Sequence, residues 1–173
     1  MQIFTIGHST RTVEELRQLL LAHRTFLLAD VRSFPHSRRN PQFNKETIEV
    51  ELSKAGIQYS WLSKLGGRRK GSGSSSLNFC WKNRSFRNFA DYMETREFHE
   101  GIQELIELAN GETVTIMCAE AVYWKCHRSM ISDFLRAEGI LVTHILDATH
   151  SKEHEYTQCA KLVDGKLTYH DKC

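Results

Sequence analysis

The sequence predicts an α/β fold: a single domain with a mostly parallel open sheet and helices on both faces. Short β-branched apolar runs alternate along the chain with amphipathic stretches of helical period. The apolar runs lack the strict alternation of apolar and polar residues that is typical of half-exposed antiparallel strands, so we expect buried parallel strands. Right-handed crossovers between such strands place helices on both faces, as in Rossmann-like folds.

Five apolar runs are predicted strands, and five amphipathic stretches are predicted helices. The strands are Gln2–Ile6, Phe26–Val31, Gln58–Trp61, Thr113–Cys118 and Leu141–Ile145. The helices are Val13–His23, Lys45–Lys54, Phe86–Met93, Phe98–Ala109 and His127–Glu138. Thr12 and Thr95 are suited to cap the first and fourth helices, and Gly111 and Gly139 stand where helices are expected to end.

The length of 173 residues fits one domain with a single core. We expect residues 1–145 to form this α/β core, because the alternating pattern weakens after Ile145. Residues 146–173 are predicted to be a C-terminal extension that adds edge strands. Within it, the pair Asp164-Gly165 favours a hairpin turn.

Composition indicates a protein that does not enter a membrane. No apolar run approaches the roughly 20 residues that a membrane-spanning helix needs, and the first residues do not resemble a signal peptide. We therefore expect a cytoplasmic location. The five cysteines, at positions 80, 118, 126, 159 and 173, have irregular spacing, so we expect reduced thiols rather than a disulfide framework.

Positive charge is concentrated in one segment. Residues 31–90 hold 12 Lys and Arg against 3 Asp and Glu, whereas the rest of the chain holds 11 against 18. Clustered cations favour a polyanionic partner, and DNA, duplex or single-stranded, is the first candidate. The alternative is a solvated basic surface without a partner. The predicted nucleic-acid-binding residues are Arg38, Arg39, Lys64, Arg68, Arg69 and Lys70.

Each predicted strand is followed by residues capable of chemistry, and ligands of open parallel sheets bind outside the carboxyl ends of the strands. The residues that we expect to converge at this rim are His8, Asp30, Arg32, Trp61, Cys118, Glu120 and Asp147. Asp30 and Glu120 are the predicted catalytic carboxylates, since paired carboxylates suit cleavage of a glycosidic bond. The alternative for Asp30 is an ion pair with Arg32 or Arg38 that orders the loop.

Two loops near this rim are predicted to bind substrate. The loop Ser33–Asn44 contains both prolines of the chain, so it presents Arg38 and Arg39 with little loss of entropy. The segment LGGRRKGSGSSS, which contains Gly66 and Gly67, suits close approach of backbone to a phosphate or the role of a mobile lid. Aromatic residues that suit stacking on an unstacked base are Phe34, Phe43, Trp61, Phe79 and Trp81.

The segment CAEAVYWKCHR brings two cysteines, a histidine and an arginine together. Cys126 beside His127, at the start of a predicted helix, suits a thiolate with a lowered pKa. Zinc binding is a weaker alternative, because a fourth ligand is missing, and we expect neither a metal nor a cofactor. His127 and Arg128 are also placed to anchor a phosphate at the helix start.

Four sequence blocks resemble those of a known family. They are TIGHST at Thr5–Thr10, LADVRSFPHSRRNPQF at Leu28–Phe43, GIQYSWLSKLGGRR at Gly56–Arg69 and MCAEAVYWKCHR at Met117–Arg128. Their order resembles the domain of unknown function 488 (DUF488) family over about residues 2–145. The resemblance implies an α/β fold with a polar site, and a link to DNA through removal of modified bases such as N6-methyladenine.

The resemblance also indicates the residues of the site. It covers His8, Asp30, Arg32, Arg38, Arg39, Gly66, Gly67, Cys118, Glu120, Cys126, His127 and Arg128, and the predicted substrate-binding set also includes Phe43, Tyr59 and Trp61. One departure lies between the cysteines, where family members often carry an acidic or proline-containing stretch and this chain has AVYWK. Tyr123 and Trp124 there alter the expected pocket wall.

Three functions are compatible with these observations. The first is a base-excision enzyme, a monofunctional N-glycosylase that flips a modified purine of DNA into the rim, with Asp30 or Glu120 assisting. The second is a cysteine-dependent enzyme of sulfur or redox chemistry that uses Cys118 or Cys126. The third is a nucleic-acid or nucleotide binding module without catalysis.

Overall fold

The computed structural model describes residues 1–170 and confirms the predicted α/β class. The strands are β1 (Gln2–Gly7), β2 (Leu27–Asp30), β3 (Gln58–Trp61), β4 (Val114–Cys118), β5 (Leu141–Ile145), β6 (Ser151–Glu153), β7 (Lys161–Val163) and β8 (Lys166–Thr168). The helices are α1 (Val13–Ala22), α2 (Lys45–Ser53), α3 (Arg84–Met93), α4 (Arg96–Leu108) and α5 (Arg128–Ala137). Each of the five predicted strands and five predicted helices is present.

The main sheet has the order β3-β2-β4-β1-β5-β6. Its first five strands are parallel, and the short β6 pairs antiparallel with β5 at the edge. The two central strands β4 and β1 are almost wholly buried and rich in β-branched and apolar residues, as expected for a sheet covered on both faces. All five parallel strands therefore end at the same rim.

Side-chain caps decide where the helices begin. Thr12 forms a capping box with Glu15 at the start of α1, and Thr95 accepts a hydrogen bond from the backbone of Phe98 at the start of α4. The third helix begins two residues before the predicted Phe86, because Asn83 caps it. Both caps predicted from the sequence are therefore confirmed.

Two apolar layers cover the two faces of the sheet. One contains Leu16, Leu20, Ile48 and Leu52 from α1 and α2. The other is larger and contains apolar residues of α3, α4 and α5, with Phe89, Phe98 and Leu135 among them. The sheet is thus held between helices on both sides, and its carboxyl rim stays open to the loops.

The C-terminal segment is attached to the core by the strand β6, by a disulfide and by a buried polar network. The strand β6 extends the main sheet by pairing with β5. The predicted boundary between the core and the C-terminal extension, at residue 145, therefore separates two strands that are hydrogen-bonded to each other. The expected hairpin is β7–β8, turned by Asp164 and Gly165, which both have positive φ. A disulfide joins Cys80 to Cys159, with their Cα atoms 5.5 Å apart. The expectation that all cysteines are reduced is therefore wrong for this pair, which packing brings together across 79 residues of sequence.

The third attachment is a buried polar network on Asp133 of α5. Its fully buried carboxylate accepts hydrogen bonds from His154 Nε2 at 2.9 Å, Thr157 Oγ1 at 2.6 Å and Tyr169 Oη at 2.9 Å. His154 Nδ1 in turn lies 2.9 Å from Nε2 of the buried His144 on β5. One carboxylate therefore orients three separate points of the C-terminal segment.

Across residues 1–170, none of the helices combines the length and apolar character that crossing a bilayer requires.

Replacing Asp133 by Ala is expected to lower the free energy of unfolding by about 3 kcal/mol, because the buried donors on His154 and Tyr169 and the partly buried hydroxyl of Thr157 lose their acceptor. The exposed Glu138 at the end of the same helix is the matched control. Glu138→Ala is expected to change the free energy of unfolding by less than about 0.5 kcal/mol. Urea unfolding measures both. Equal effects of the two substitutions would contradict the assigned role of Asp133.

Candidate functional site

A cleft of about 590 Å³ opens at the carboxyl ends of β2 and β4 and at the beginning of α5. Its lining includes Arg32 and Phe34 after β2, Cys118 and Glu120 at the end of β4, Cys126 before α5, and Arg68 from the glycine-rich segment. This is the position that open parallel sheets use for ligands. Five of these six residues were predicted to bind or convert substrate, or to contact nucleic acid. Phe34, the sixth, was predicted from the sequence to stack on a base.

Asp30 lies beneath the cleft rather than facing it. Its carboxylate is fully buried and forms an ion pair with Arg32, with Nη2 at 2.5 Å and Nε at 2.9 and 3.0 Å from its oxygens. The backbone N–H of Arg32 and the hydroxyl of Tyr59 donate further hydrogen bonds at 3.0 and 2.7 Å. The observed contact is therefore the ion-pair alternative considered for Asp30.

His8 supports the same arginine from the other side. Its Nδ1 lies 2.9 Å from the carbonyl oxygen of Ser9, so that nitrogen carries the proton and Nε2 faces Arg32 Nη1 at 3.4 Å. Burial lowers the pKa of His8 to about 4, so the ring is neutral at neutral pH. Its stacking on the buried Phe43, at 4.2 Å between ring centroids, fixes its plane. Phe43 stacks on His8 and Tyr59 binds Asp30, so both residues support the groups that hold Arg32 and do not line the cleft.

The two predicted carboxylates do not face each other across the cleft. Glu120 is exposed and lines it, whereas Asp30 is separated from it by the side chain of Arg32. Asp30 pairs with Arg32 rather than with Glu120, because the guanidinium two residues later turns back onto it. The assignment of either residue as catalytic stays a prediction.

Two cysteines form the floor of the cleft. Cys118 and Cys126 are both buried and not disulfide-bonded, and their Sγ atoms lie 2.7 Å apart. Burial together with the neighbouring Cys126 raises the pKa of Cys118 well above its ordinary value. Burial also raises the pKa of Cys126, but the hydrogen bond from Cys118 and the charge of His127 outweigh it and hold this pKa well below its ordinary value. Cys126 is therefore the more acidic of the two thiols.

His127 is oriented to exchange a proton with Cys126. Its Nε2 lies 3.1 Å from two carbonyl oxygens, those of Val31 and Leu65, so this nitrogen must carry a proton. Its Nδ1 lies 3.4 Å from Cys126 Sγ. In the neutral ring Nδ1 is then an acceptor that can take the thiol proton and form an imidazolium–thiolate pair.

Arg128 adds a buried positive charge next to this pair. The side chain is 2% exposed, and among residues 1–170 none of the ion pairs includes it. Its Nη2 donates to the carbonyl oxygen of Glu120 at 2.7 Å, and its backbone N–H points at Cys126 Sγ at 3.5 Å. A buried cation without a carboxylate partner favours an anion nearby, and its charge lowers the pKa of Cys126.

Three glycines allow the chain to pack closely around the group formed by Cys118, Cys126, His127 and Arg128. A Cβ on Gly7 would lie 1.8 Å from the carbonyl oxygen of Glu120, the same oxygen that Arg128 binds. A Cβ on Gly67 would lie 2.5 Å from Nδ1 of His127, and one on Gly66 would lie 2.8 Å from Oγ of Ser33. Gly66 and Gly67 therefore let their own chain pack closely on Ser33 and His127, and Gly67 also lines the cleft. The approach of this backbone to a phosphate stays a prediction.

The predicted nucleic-acid-binding residues divide into two groups. Arg38, Arg39, Arg68 and Lys70 are exposed. Lys64 pairs with Glu100 at 3.2 Å, and Arg69 donates to backbone carbonyls and lies over the ring of Tyr92 at 3.8 Å. Lys64 and Arg69 therefore hold the glycine-rich segment against the protein.

The aromatic residues also divide. Phe34 is 67% exposed at the cleft, and the guanidinium of Arg68 lies 5.7 Å from its ring centre. Trp61 donates through Nε1 to the carbonyl oxygen of Arg32, and Trp81 is partly buried against Tyr169. Asp147, also expected at the rim, caps its own turn at Thr149 and His150. Of the five aromatic residues predicted to stack on a base, Phe34 is thus the one that lines the cleft, and the partly buried Phe86 lines it as well.

Cleft residues that sequence reasoning did not single out include His36, Asn83 and Lys125. Each lies in a loop or just before a helix, where no periodicity marks a position as facing a site. Among residues 1–170 there is no cluster of three or more His, Cys, Asp or Glu side chains suited to hold a metal ion.

The fold and the site define an α/β protein with a cysteine–histidine cluster in a basic cleft at the carboxyl ends of its strands. Residues 12–135 match the model of the family described as Domain of unknown function DUF488, and the chain belongs to that family. The resemblance seen in the sequence blocks is therefore confirmed. No curated protein and no solved structure matches the chain.

The Asp30–Arg32 pair gives a stability prediction. Asp30→Asn is expected to lower the free energy of unfolding by about 3 kcal/mol, because it leaves the buried Arg32 without its counterion. The exposed pair of Glu14 with Arg17 is the matched control, and Glu14→Gln is expected to cost less than about 0.5 kcal/mol. Urea unfolding of both variants measures this difference.

Adding Arg32→Met to Asp30→Asn is expected to recover part of the loss, because the unpaired charge is then removed. A double variant as unstable as the sum of the two single variants would contradict the pairing.

Proposed function

We propose that this chain is a cysteine-dependent enzyme of sulfur or redox chemistry, with Cys126 as its nucleophile. The observation that carries this proposal is the position of His127, whose Nδ1 faces Cys126 Sγ while its Nε2 is fixed by two carbonyl oxygens. A base oriented in this way, next to a thiol at the beginning of a helix, is the arrangement that activates a cysteine nucleophile.

The reaction step follows from these contacts. His127 takes the proton of Cys126, and the thiolate attacks an electrophilic sulfur atom of the substrate held in the cleft. The bond from Cys126 Sγ to that sulfur forms as the bond to the leaving group breaks, and the leaving group takes the proton from His127. Arg128 favours the starting thiolate through its charge and its backbone N–H at 3.5 Å.

The wall of the cleft suits an anionic substrate. Arg32, Arg68 and Lys125 line it, and Glu120 is the opposing charge. Asp30 already neutralises the charge of Arg32, so the attraction for an anion comes from Arg68 and Lys125, while the guanidinium of Arg32 is held rigidly at the wall.

A cytoplasmic location is part of this proposal, because a reducing compartment keeps Cys118 and Cys126 as thiols. The Cys80–Cys159 disulfide is the observation that weighs against that location.

Alkylation of Cys126 at slightly acid pH tests the nucleophile. The modification of Cys126 by iodoacetamide is expected to slow at least about tenfold in His127→Gln, since loss of the oriented base raises the pKa of the thiol and lowers the thiolate fraction. Mass spectrometry of the Cys126 peptide measures the rate.

The exposed His36, which also lines the cleft and pairs with Glu46, is the matched control. His36→Gln is expected to leave the rate nearly unchanged. Equal rates in wild type, His127→Gln and His36→Gln would overturn the proposal.

A second candidate function is the N-glycosylase, which acts on a modified base in DNA. It is favoured by the exposed Phe34 beside Arg68, a pairing suited to a base and its phosphate, and by the exposed carboxylate of Glu120 in the same cleft. Glu120 would then activate water or stabilise the oxocarbenium-like sugar.

Oligonucleotides that carry modified bases, N6-methyladenine among them, test this second candidate. Release of free base is expected to fall at least about 100-fold in Glu120→Gln and to persist in Glu112→Gln, an exposed control before β4. Mass spectrometry detects the released base. Absence of release by the wild type would reject the glycosylase.

Salt-dependent binding to the same oligonucleotides separates catalysis from binding alone. Replacing Arg38, Arg39 and Arg68 by Ala is expected to reduce the slope of log affinity against log salt by about one for each phosphate that an arginine no longer neutralises. Binding with this slope but without release would favour the nucleic-acid binding module. An unchanged slope would exclude DNA binding through these arginines.

A further inference from the structure

The relation between the two cysteines on the cleft floor goes beyond a single nucleophile. Their Sγ atoms lie 2.7 Å apart, already close to the roughly 2.05 Å of a disulfide bond, and both line the cleft. They are eight residues apart in sequence, one at the end of β4 and the other just before α5. Bond formation between them therefore requires only a small movement of the loop that joins these elements.

The surroundings of the two sulfur atoms differ. Cys126 Sγ is faced by His127 Nδ1 and by the backbone N–H of Arg128. Besides its contact with Cys126, the Sγ of Cys118 has a long contact, 3.9 Å, to the carbonyl oxygen of Glu120, an acceptor that suits a protonated thiol. One sulfur atom is thus prepared to attack, and the other is kept protonated next to it.

We propose that Cys118 and Cys126 form a redox-active dithiol that reduces small anionic disulfides, with Cys126 as the attacking and Cys118 as the resolving cysteine. This inference rests on the proposed function, since it needs Cys126 as nucleophile. Its substrate class follows from the cleft, where Arg68 and Lys125 attract anions and Phe34 offers an exposed ring.

The two steps balance in atoms and electrons. The Cys126 thiolate attacks one sulfur of the substrate disulfide, which forms a mixed disulfide and expels the first substrate thiolate. Cys118 then attacks Cys126 Sγ, its proton passes to the second departing thiolate, and the Cys118–Cys126 disulfide remains. The substrate gains two electrons and the dithiol loses two, and an external dithiol reductant returns the enzyme to its starting state.

Dithiobis(nitrobenzoate), an anionic aromatic disulfide, is the test probe. Every protein carries Cys173→Ser, since Cys173 lies outside the described residues. The protein with both Cys118 and Cys126 is expected to release both nitrothiobenzoate groups of each probe molecule and to retain no adduct. The mass of the protein then falls by the two hydrogen atoms that the thiols of Cys118 and Cys126 lose. Cys118→Ser is expected to release one group and to retain the other as a mixed disulfide on Cys126.

The possible results separate the two proposals. If Cys126 does not react with the probe, the proposed function and this inference both fail. If wild type retains the adduct on Cys126 as Cys118→Ser does, Cys126 is a nucleophile but the dithiol inference is overturned. This mass measurement on the wild type decides the question even if Cys118→Ser does not fold.

The charge of the substrate is tested in the same assay. For each disulfide, the rate with the protein is divided by its rate with a free small-molecule thiol. This ratio is expected to be at least about tenfold lower for the cationic disulfide cystamine than for the anionic probe. Added salt is expected to bring the two ratios closer together. Equal relative rates would overturn the assigned substrate class. The Cys80–Cys159 peptide pair, mapped in the same digest, is expected to stay unchanged throughout.

Discussion

The buried guanidinium of Arg128 is the group on which the candidate site depends. It lies at the first position of α5, donates to the carbonyl oxygen of Glu120 and reaches Thr5 Oγ1 on β1 at 3.4 Å. It therefore ties the beginning of a helix, the loop after β4 and the central strand β1 together. The close approach of the Glu120 carbonyl is possible only because residue 7 has no side chain. A cation buried in this way is costly unless an anion compensates it, and the adjacent thiolate is such an anion.

A second buried charge network supports the opposite wall. Asp30 and the neutral His8 contact the guanidinium of Arg32, and Tyr59 donates a hydrogen bond to Asp30. The carbonyl oxygen of Phe43 accepts a further hydrogen bond from Arg32 at 2.7 Å. The strand that contributes Asp30 is buried on both faces, so this carboxylate has no route to solvent. The rim therefore presents arginine and cysteine, while its most buried carboxylate serves to orient the arginine. This arrangement favours binding of an anion and attack by sulfur over carboxylate catalysis by Asp30.

Much of the fold was predictable because its signals are local. Apolar runs and helical periodicity indicated the strands and helices, and Thr12, Thr95 and Asp164-Gly165 marked caps and a turn that the structure contains. That the C-terminal segment adds an edge strand was predicted, but the position of β6 was not, since its three residues are exposed and carry no apolar pattern. The Cys80–Cys159 bond depends on packing between distant segments, which spacing in the sequence does not encode. For the site, clustering at the rim was predictable from strand order, but the direction in which Asp30 and Arg32 point was not.

The central claim is that Cys126 is a thiolate while Cys118 is a thiol. The most direct measurement is a pH titration of the ultraviolet absorbance of the thiolate in wild type, Cys126→Ser and Cys118→Ser, each with Cys173→Ser. The account predicts a step well below the ordinary thiol range that disappears in Cys126→Ser and persists in Cys118→Ser, since a serine hydroxyl also donates to the thiolate. A wild type whose absorbance rises only in the ordinary thiol range would contradict it.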